Sequence, residues 1–368
     1  MAASDNIARQ PRAIVAINGS TFAGWISWEV TSNSDYEADH FRVSFAASGL
    51  PTATVQPFIE QKELFIEIFA GFPSNPAAPT AAELDSLIYG RVDSIEFDPV
   101  YGLLTFTGRD LTAVFIDAKV DADYQNQTAS QIASALASRH TLVPVVTATT
   151  ALVGTYYKRE QTRMNANQSE WDLLAWLARE EGFQCFVKGQ ELHFAPPPDA
   201  TATPYQIKWN GATAASASPN VNAQELTFSR ALTVTKGVTV TVRSPSTTKK
   251  VPVVQSYPGS PKVVQAGKSS PFGNTQSYFF TVAANRTPVQ CAQEAIRRYR
   301  EIVAHEMRMQ ARMPGDNLLS TANILRVVGT GTAFDQDYYP QEITRTMSLD
   351  EGYTMAVTAK NHSPGLAQ

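Results

Sequence analysis

Residues 87–110 read LIYGRVDSIEFDPVYGLLTFTGRD. Two runs rich in β-branched and aromatic residues flank Asp98-Pro99-Val100-Tyr101-Gly102, where proline presets the bend and glycine supplies a left-handed corner. The spacing predicts a β-hairpin. Working outward, the stretches RAIVAING, AGWISWEV, HFRVSFAA and ELFIEIFAG repeat the theme between Arg12 and Lys119. Several alternate with period two, as Leu64, Ile66 and Ile68 do against Phe65, Glu67 and Phe69. Both faces of such strands are partly apolar, so residues 1–120 are expected to form a closed or tightly packed antiparallel sheet.

The period changes to 3.6 over residues 121–200. Ile132 and Leu136 share a stripe in TASQIASALASR, and Trp171, Leu174 and Ala178 share one in EWDLLAWLAREE. Ser169 with Asp172 three positions on caps the second helix, and Gly182 stops it. FQCFV and ELHF, joined by Lys188-Gly189-Gln190, predict a further hairpin, which makes this region an α+β unit closed by a proline run.

The rest alternates again: IKWN, AQELTFSRAL and GVTVTVRS, then a Pro, Gly, Ser, Thr and Lys mixture from Ser244 to Ser277 expected as a long loop. Thr287-Pro288-Val289-Gln290 opens a helix whose apolar face is expected to be Ala292, Ala295, Ile296, Tyr299, Ile302 and Val303. Glu294 with Arg298 and Arg297 with Glu301 sit four apart for ion pairing. The closing strands NILRVVGT, QEITRTMSL and YTMAVTAKN flank an Asp350-Glu351-Gly352 turn. Tyr339 and Gly352 lie 250 positions after Tyr89 and Gly102, which suggests an internal repeat of a barrel-like sheet. The expected division is 1–120, 121–200, 201–243 with 306–362, and 244–305 as extended basic loop and helix.

Length and charge narrow the functional classes. The chain has 368 residues, 43% hydrophobic and 17% charged, against about 25% charged in a typical domain. Missing surface charge points to an exterior that faces other protein. A net charge of -4 has the wrong sign for gripping nucleic acid. Residues 1–123 carry 17 acids and 7 bases, whereas residues 226–293 carry eight bases and no acid. Arg230, Lys236, Arg243, Lys249, Lys250, Lys262 and Lys268 are therefore the candidate subunit-contact segment, a basic surface to meet the acidic surface of a neighbour. The alternatives are an ordinary solvated loop and a phosphate-binding surface, although no nucleic-acid module frames these residues. Cys185 and Cys291 sit in apolar patterns and are expected to be buried. The N-terminus lacks a secretory pattern and no run reaches the roughly 18 apolar residues of a membrane span, so a soluble, non-exported chain is expected.

Catalytic signatures are not found. His40, His140, His193, His305 and His362 are scattered singly, without metal-ligand spacing. Gly329-Thr330-Gly331 lacks the third glycine and following helix of a dinucleotide loop, and reads as a turn. Asp93, Glu96 and Asp98 have the composition of a glycosidase pair but lie on a strand pattern expected to be solvated. No cofactor and no enzymatic activity are expected.

Three stretches resemble the central baseplate hub proteins of contractile-tailed phages, the late control protein D and Mu-like tail hub family: residues 87–119, residues 167–194 (NQSEWDLLAWLAREEGFQCFVKGQELHF) and residues 321–361, ending QEITRTMSLDEGYTMAVTAKN. The fold then implied is mainly β with an α+β insert: two tube-like antiparallel β-barrels plus a middle α+β domain and a long helix. The resemblance implies a homotrimer with pseudo-six-fold symmetry that joins a hexameric tail tube to a trimeric spike and leaves a channel for DNA. Implied partners are the tail tube protein, a separate central spike protein and baseplate wedge or other tail proteins, with DNA only in passage and no stable membrane association. The expected location is the virion baseplate, after assembly in the host cytoplasm. A separate spike is expected because the chain ends shortly after its last strand motif. The alternatives are a tail-tip cell-wall or polysaccharide hydrolase, which needs an acid pair, and a receptor-binding protein, which needs an exposed aromatic platform. Trp25, Trp28, Trp171, Trp176 and Trp209 lie in patterns that look like core.

Overall fold

Seven strands from the N-terminal region form one sheet in the computed structural model of the protein: β1 (Arg12–Ile17), β2 (Ser20–Phe22), β3 (Trp25–Asn33), β4 (His40–Ala46), β5 (Phe65–Gly71), β6 (Asp85–Asp98) and β7 (Leu103–Asp110). A short helix, α1 (Gln56–Ile59), lies between β4 and β5. The structure describes residues 10–34, 36–50, 55–120, 124, 126–150, 152–153, 168–196, 203–210, 220–231, 238–246, 251–258, 276–282, 284, 286–303 and 307–361. By contact density it divides into one unit of Met1–Asp199, Arg312–Ala322 and Gln341–Ala356, and another of Ala200–Ala311, Asn323–Pro340 and Val357–Gln368. Among the described residues no helix is long and apolar enough to cross a membrane.

Alternation drives the first sheet. In β4, Phe41, Val43 and Phe45 are buried while His40 and Arg42 face out, and the inward residues oppose Val30 and Trp28 on β3 and Phe106 and Leu104 on β7. Phe45 meets Phe106 edge-on at 5.9 Å, and Phe58 of α1 meets Phe106 at the same distance, so aromatic edges fill the centre. The hairpin expected at 87–110 is present, with Asp98 opposite Leu103 and Gly102 at φ +63°. Asp98 accepts hydrogen bonds from the amides of Val100 (2.8 Å) and Tyr101 (3.0 Å), which is why an Asp opens this turn.

The insert in the same unit follows the expected pattern. It begins with α2 (Thr112–Asp117), β8 (Gln127–Thr128) and α3 (Ala129–Arg139), followed by β9 (Val143–Val146) and β10 (Leu152–Val153). It ends with α4 (Glu170–Glu181), β11 (Gln184–Lys188) and β12 (Glu191–Ala195). Thr128 with Gln131 and Ser169 with Asp172 form capping boxes, and Gly182 closes α4 at φ +71°. Ile132, Leu136, Trp171, Leu174, Leu177 and Phe194 are its buried centre. Tyr36 ties it to the first sheet: the Trp171 indole donates to the Tyr36 carbonyl (2.6 Å), the Tyr36 hydroxyl donates to Phe183 O (2.7 Å), and Arg179 stacks 4.8 Å from the Tyr36 ring.

A second set of seven strands follows: β13 (Tyr205–Asn210), β14 (Asn220–Val221), β15 (Glu225–Arg230), and after an interruption β19 (Met307–Pro314), β20 (Leu325–Val328), β21 (Asp337–Ser348) and β22 (Gly352–Lys360). The interruption is a three-stranded sheet of β16 (Val238–Ser244), β17 (Val253–Tyr257) and β18 (Gln276–Thr281), with α5 (Pro288–Val303) against β16 and β17. With the strands of each set counted from one to seven along the chain, both sheets have the order 3-4-7-6-5-1-2. The repeat suggested by the 250-residue offset is therefore a repeat of topology. One pair differs: β1 runs antiparallel to β5, while β13 runs parallel to β20. The long β13-to-β20 connection leaves the direction unconstrained, as a tight turn would not.

Two expectations need correction in the interruption. The stretch read as loop from Ser244 to Ser277 contains β17, whose residues 253–257 pair with β16 from Ser244 to Val240. The flanking prolines mask an ordinary Val-Val-Gln-Ser-Tyr strand. On α5 the buried centre is Cys291 and Ala295 against Val238, Val240 and Val242, with Tyr299, Ile302 and Val303 packed beside them. The apolar face thus begins at Cys291, one turn before Ala295. The Thr287–Gln290 capping box and the expected ion pairs are formed, Arg297 to Glu301 at 2.8 Å and Arg298 to Glu294 at 3.0 Å.

Candidate functional site

The β6–β7 hairpin presents the most distinctive surface of the first unit. β6 pairs with β5 from Asp85 to Arg91, and the Val92 amide makes one more bond to Leu64 O (2.9 Å). At Asp93 a bulge shifts the register against β7, and from Ser94 to Asp98 the strand pairs with β7 on one side only among the described residues. That leaves a strand edge of five residues, a row of backbone donors and acceptors able to take another strand. Arg109 locks the bulge by gripping Asp93 with two bonds, 2.6 and 3.0 Å, and also reaches Asp117 at 3.4 Å. Arg91 pairs with Asp117 as well. Burial opposes the charge of Asp117, yet the hydrogen bonds and charge of the two arginines hold its carboxyl below the usual range.

The acids considered as a glycosidase pair are thereby assigned positions: Asp93 is held by Arg109, Asp98 caps the turn, and Glu96 lies exposed on the open strand. A different acid pair, missed in the sequence, lies at the ends of β4 and β7. Desolvation, partly offset by the Asn33 amide at 2.7 Å, pushes the Asp39 carboxyl up to about 6. Desolvation and then the Asp39 charge push Asp110 well above the ordinary value, although Asp110 accepts from Thr112 N (3.1 Å) and Thr112 Oγ1 (2.9 Å). Spacing alone could not find them, because their proximity comes from the β4–β7 pairing, in which the Asp110 amide donates to Asp39 O at 2.9 Å.

Of the candidate basic segment, Arg230 lies exposed on β15 and Arg243 exposed on β16. Lys236, Lys249, Lys250, Lys262 and Lys268 lie outside the described residues. β15 pairs only with β19 among the described strands, so it forms an outer edge, whereas β3, third in the first set, pairs with both β4 and β21. Its Leu226 and Phe228 are half-buried, Phe228 stacking on Phe334 at 4.9 Å, while Glu225, Thr227, Ser229 and Arg230 face out.

The histidines remain separate. His140 Nε2 lies 2.5 Å from Oε2 of the fully buried Glu170, which also pairs with Arg139, and His193 lies 3.1 Å from Glu191. His305 and His362 lie outside the described residues. Among the described residues no group of three His, Cys, Asp or Glu could hold a metal ion. Gly329-Thr330-Gly331 is a turn whose amides donate to the Asp335 carboxylate, Thr330 N and Gly331 N each at 2.9 Å. Cys185 and Cys291 are free and buried. Trp28 and Trp171 are buried; Trp25, Trp176 and Trp209 are half-buried. A cleft of about 520 Å³ is lined by Asn18, Glu63, Phe65, Glu67, Tyr89 and Gln190, with Phe65 and Tyr89 stacked at 5.8 Å.

Residues 95–350 match the protein family described as phage tail baseplate hub (GPD). The fold is shared with a tail protein of Neisseria meningitidis (13% identity, 95% of this chain and 96% of that one, TM-score 0.69). It is also shared with the 43 kDa tail protein of prophage MuSo2 from Shewanella oneidensis (14% identity, 97% and 99%, TM-score 0.68). A third likeness is to an Escherichia coli component of the type VI secretion system (11% identity, 96% and 78%, TM-score 0.52). No curated protein sequence matches the chain.

Proposed function

Because the chain belongs to the phage tail baseplate hub (GPD) family, we propose that it is the structural hub of a contractile-tail baseplate: a homotrimer that joins a hexameric tail tube to a trimeric spike. The observation that carries this is the shared strand order of the two sheets. A six-fold tube and a three-fold spike meet on one axis without mismatch when the adapter offers six similar surfaces on one side and three on the other. Three chains with two matching barrels each do so. DNA leaving the virion would pass through the ring, and a net acidic chain suits a lumen that does not hold phosphate.

The role is mechanical. Mixed with the tail tube protein of the same phage, the purified ring is expected to seed tubes that each carry one ring at one end. Tubes that form equally well without it, and exclude it when it is present, would overturn the proposal. Assembled rings are expected to release no soluble fragments from cell-wall sacculi. Release abolished by Asp39→Asn or Asp110→Asn would make the chain a hydrolase instead.

A further inference from the structure

β21 has two partners along one edge. Asp337 and Tyr338 pair with β20, and Glu342–Ser348, which belong to the first unit, pair antiparallel with β3 from Asn33 to Ser27. β6 is its counterpart in the first set, sixth in chain order in the same sheet position, and its hairpin turns at Gly102 as that of β21 turns at Gly352. Aligned on those glycines, Ser94–Asp98 correspond to Thr344–Ser348. The corresponding stretch of β21 is covered by β3, whereas Ser94–Asp98 have no second neighbour among the described residues.

The side chains record the same difference. Met347 is 8% exposed and Phe97, its counterpart, 38%. Ile343 and Arg345 are buried, while Asp93 is exposed and Ile95 half-buried. β6 thus carries, uncovered, a face that β21 has covered. The counterpart of β3 is β15, third in chain order and outermost in its sheet, six residues long and paired only with β19 among described strands.

We infer that Ser94–Asp98 of one copy pair antiparallel with β15 of a neighbouring copy, reproducing between chains the β21–β3 joint. This rests on the hub reading above and gives that trimer its residue-level contact. Around a ring the two joints alternate, three formed within chains and three between them. Charge does not oppose the match: the 93–98 segment holds Asp93, Glu96 and Asp98 and no base, whereas β15 carries one acid, Glu225, and one base, Arg230, and is neutral. Strand addition satisfies both rows of exposed backbone groups and covers Phe97.

In the β21–β3 joint, Thr344, Thr346 and Ser348 oppose Thr31, Glu29 and Ser27. The test places cysteines on the equivalent outward faces of the full chain: Ser94→Cys, Glu96→Cys or Asp98→Cys, each combined with Thr227→Cys. Under mild oxidation of the assembled protein, one of these three registers is expected to give covalently closed trimers under denaturing conditions, and the single-cysteine variants none. Amide exchange at 94–98 and 225–230 is expected to be slowed at least about tenfold in the oligomer relative to a Phe97→Lys variant, which leaves its exposed site without loss of fold and does not assemble. Native trimers with neither cross-link nor protection would overturn this strand pairing and leave the trimer standing. Absence of any native oligomer would overturn both.

Discussion

Gly102 and Gly352 hold the same left-handed corner, at φ +63° and +71°, of hairpins that occupy the same place in two sheets of identical strand order. No atom lies within 4 Å of a Cβ built at either position, so the requirement at both is backbone conformation and not space. Each substitution Gly102→Ala and Gly352→Ala is expected to cost about 1 kcal/mol, with Asn milder than Ala at both, measured as denaturant midpoints.

Gly108 poses the opposite problem. A Cβ there would lie 2.1 Å from the Arg91 carbonyl oxygen and 2.5 Å from Cζ of Phe41, while Gly90 meets the Arg109 carbonyl oxygen and the same ring. The Phe41 ring lies over both glycines and fills the space their missing side chains leave. Gly108→Ala is expected to destabilise by about 3 kcal/mol, well beyond the turn glycines, and Phe41→Leu is expected to leave most of that cost because the backbone oxygen still obstructs. Equal losses at Gly102 and Gly108 would contradict the packing argument.

The acid pair at Asp39 and Asp110 makes stability depend on pH in a definite direction. Both carboxyls bind protons more tightly folded than unfolded, so their contribution is greatest below the ordinary carboxylate range of about 4 and is lost as pH rises through about 6 for Asp39. Asp39→Asn is expected to flatten the stability profile between those values and to stabilise the protein at pH 8 relative to the parent. Chemical denaturation at a series of pH values reads this directly, and a variant that loses stability at pH 8 would refute it.

Glu170 is fully buried at the start of α4 and holds both Arg139 and His140 at the end of α3. Arg139 is half exposed, so removal of the carboxylate returns that charge to water. Glu170→Ala is expected to cost about 2 kcal/mol and Glu170→Gln about 1 kcal/mol, read from thermal or urea unfolding, since the amide keeps the volume and one acceptor.

Local chemistry was legible from the start. The Asp98–Gly102 turn, the Ser169–Asp172 cap, the Gly182 stop and the α5 ion pairs each need only neighbouring residues, and each is where the spacing puts it. Cys291 is buried as its apolar surroundings imply, but a stripe begun at Ala292 leaves it off the helix face, and β17 is hidden because its prolines outweigh five strand-forming residues. What no window can contain is pairing between distant strands. The order shared by the two sheets, the parallel β13–β20 pair and the proximity of Asp39 to Asp110 all depend on contacts far apart in the chain. The open strand edges at Ser94–Asp98 and Glu225–Arg230 likewise emerge only once the register is known.

The central claim is that three copies of a duplicated chain imitate a six-membered ring. Native mass determination of the purified protein at assembly concentrations, paired with end-on electron-microscope averages of the same sample, tests it most directly. The predicted result is a species of three chains whose end-on view shows six similar lobes. A persistent monomer or dimer, or a species of six chains, would contradict it.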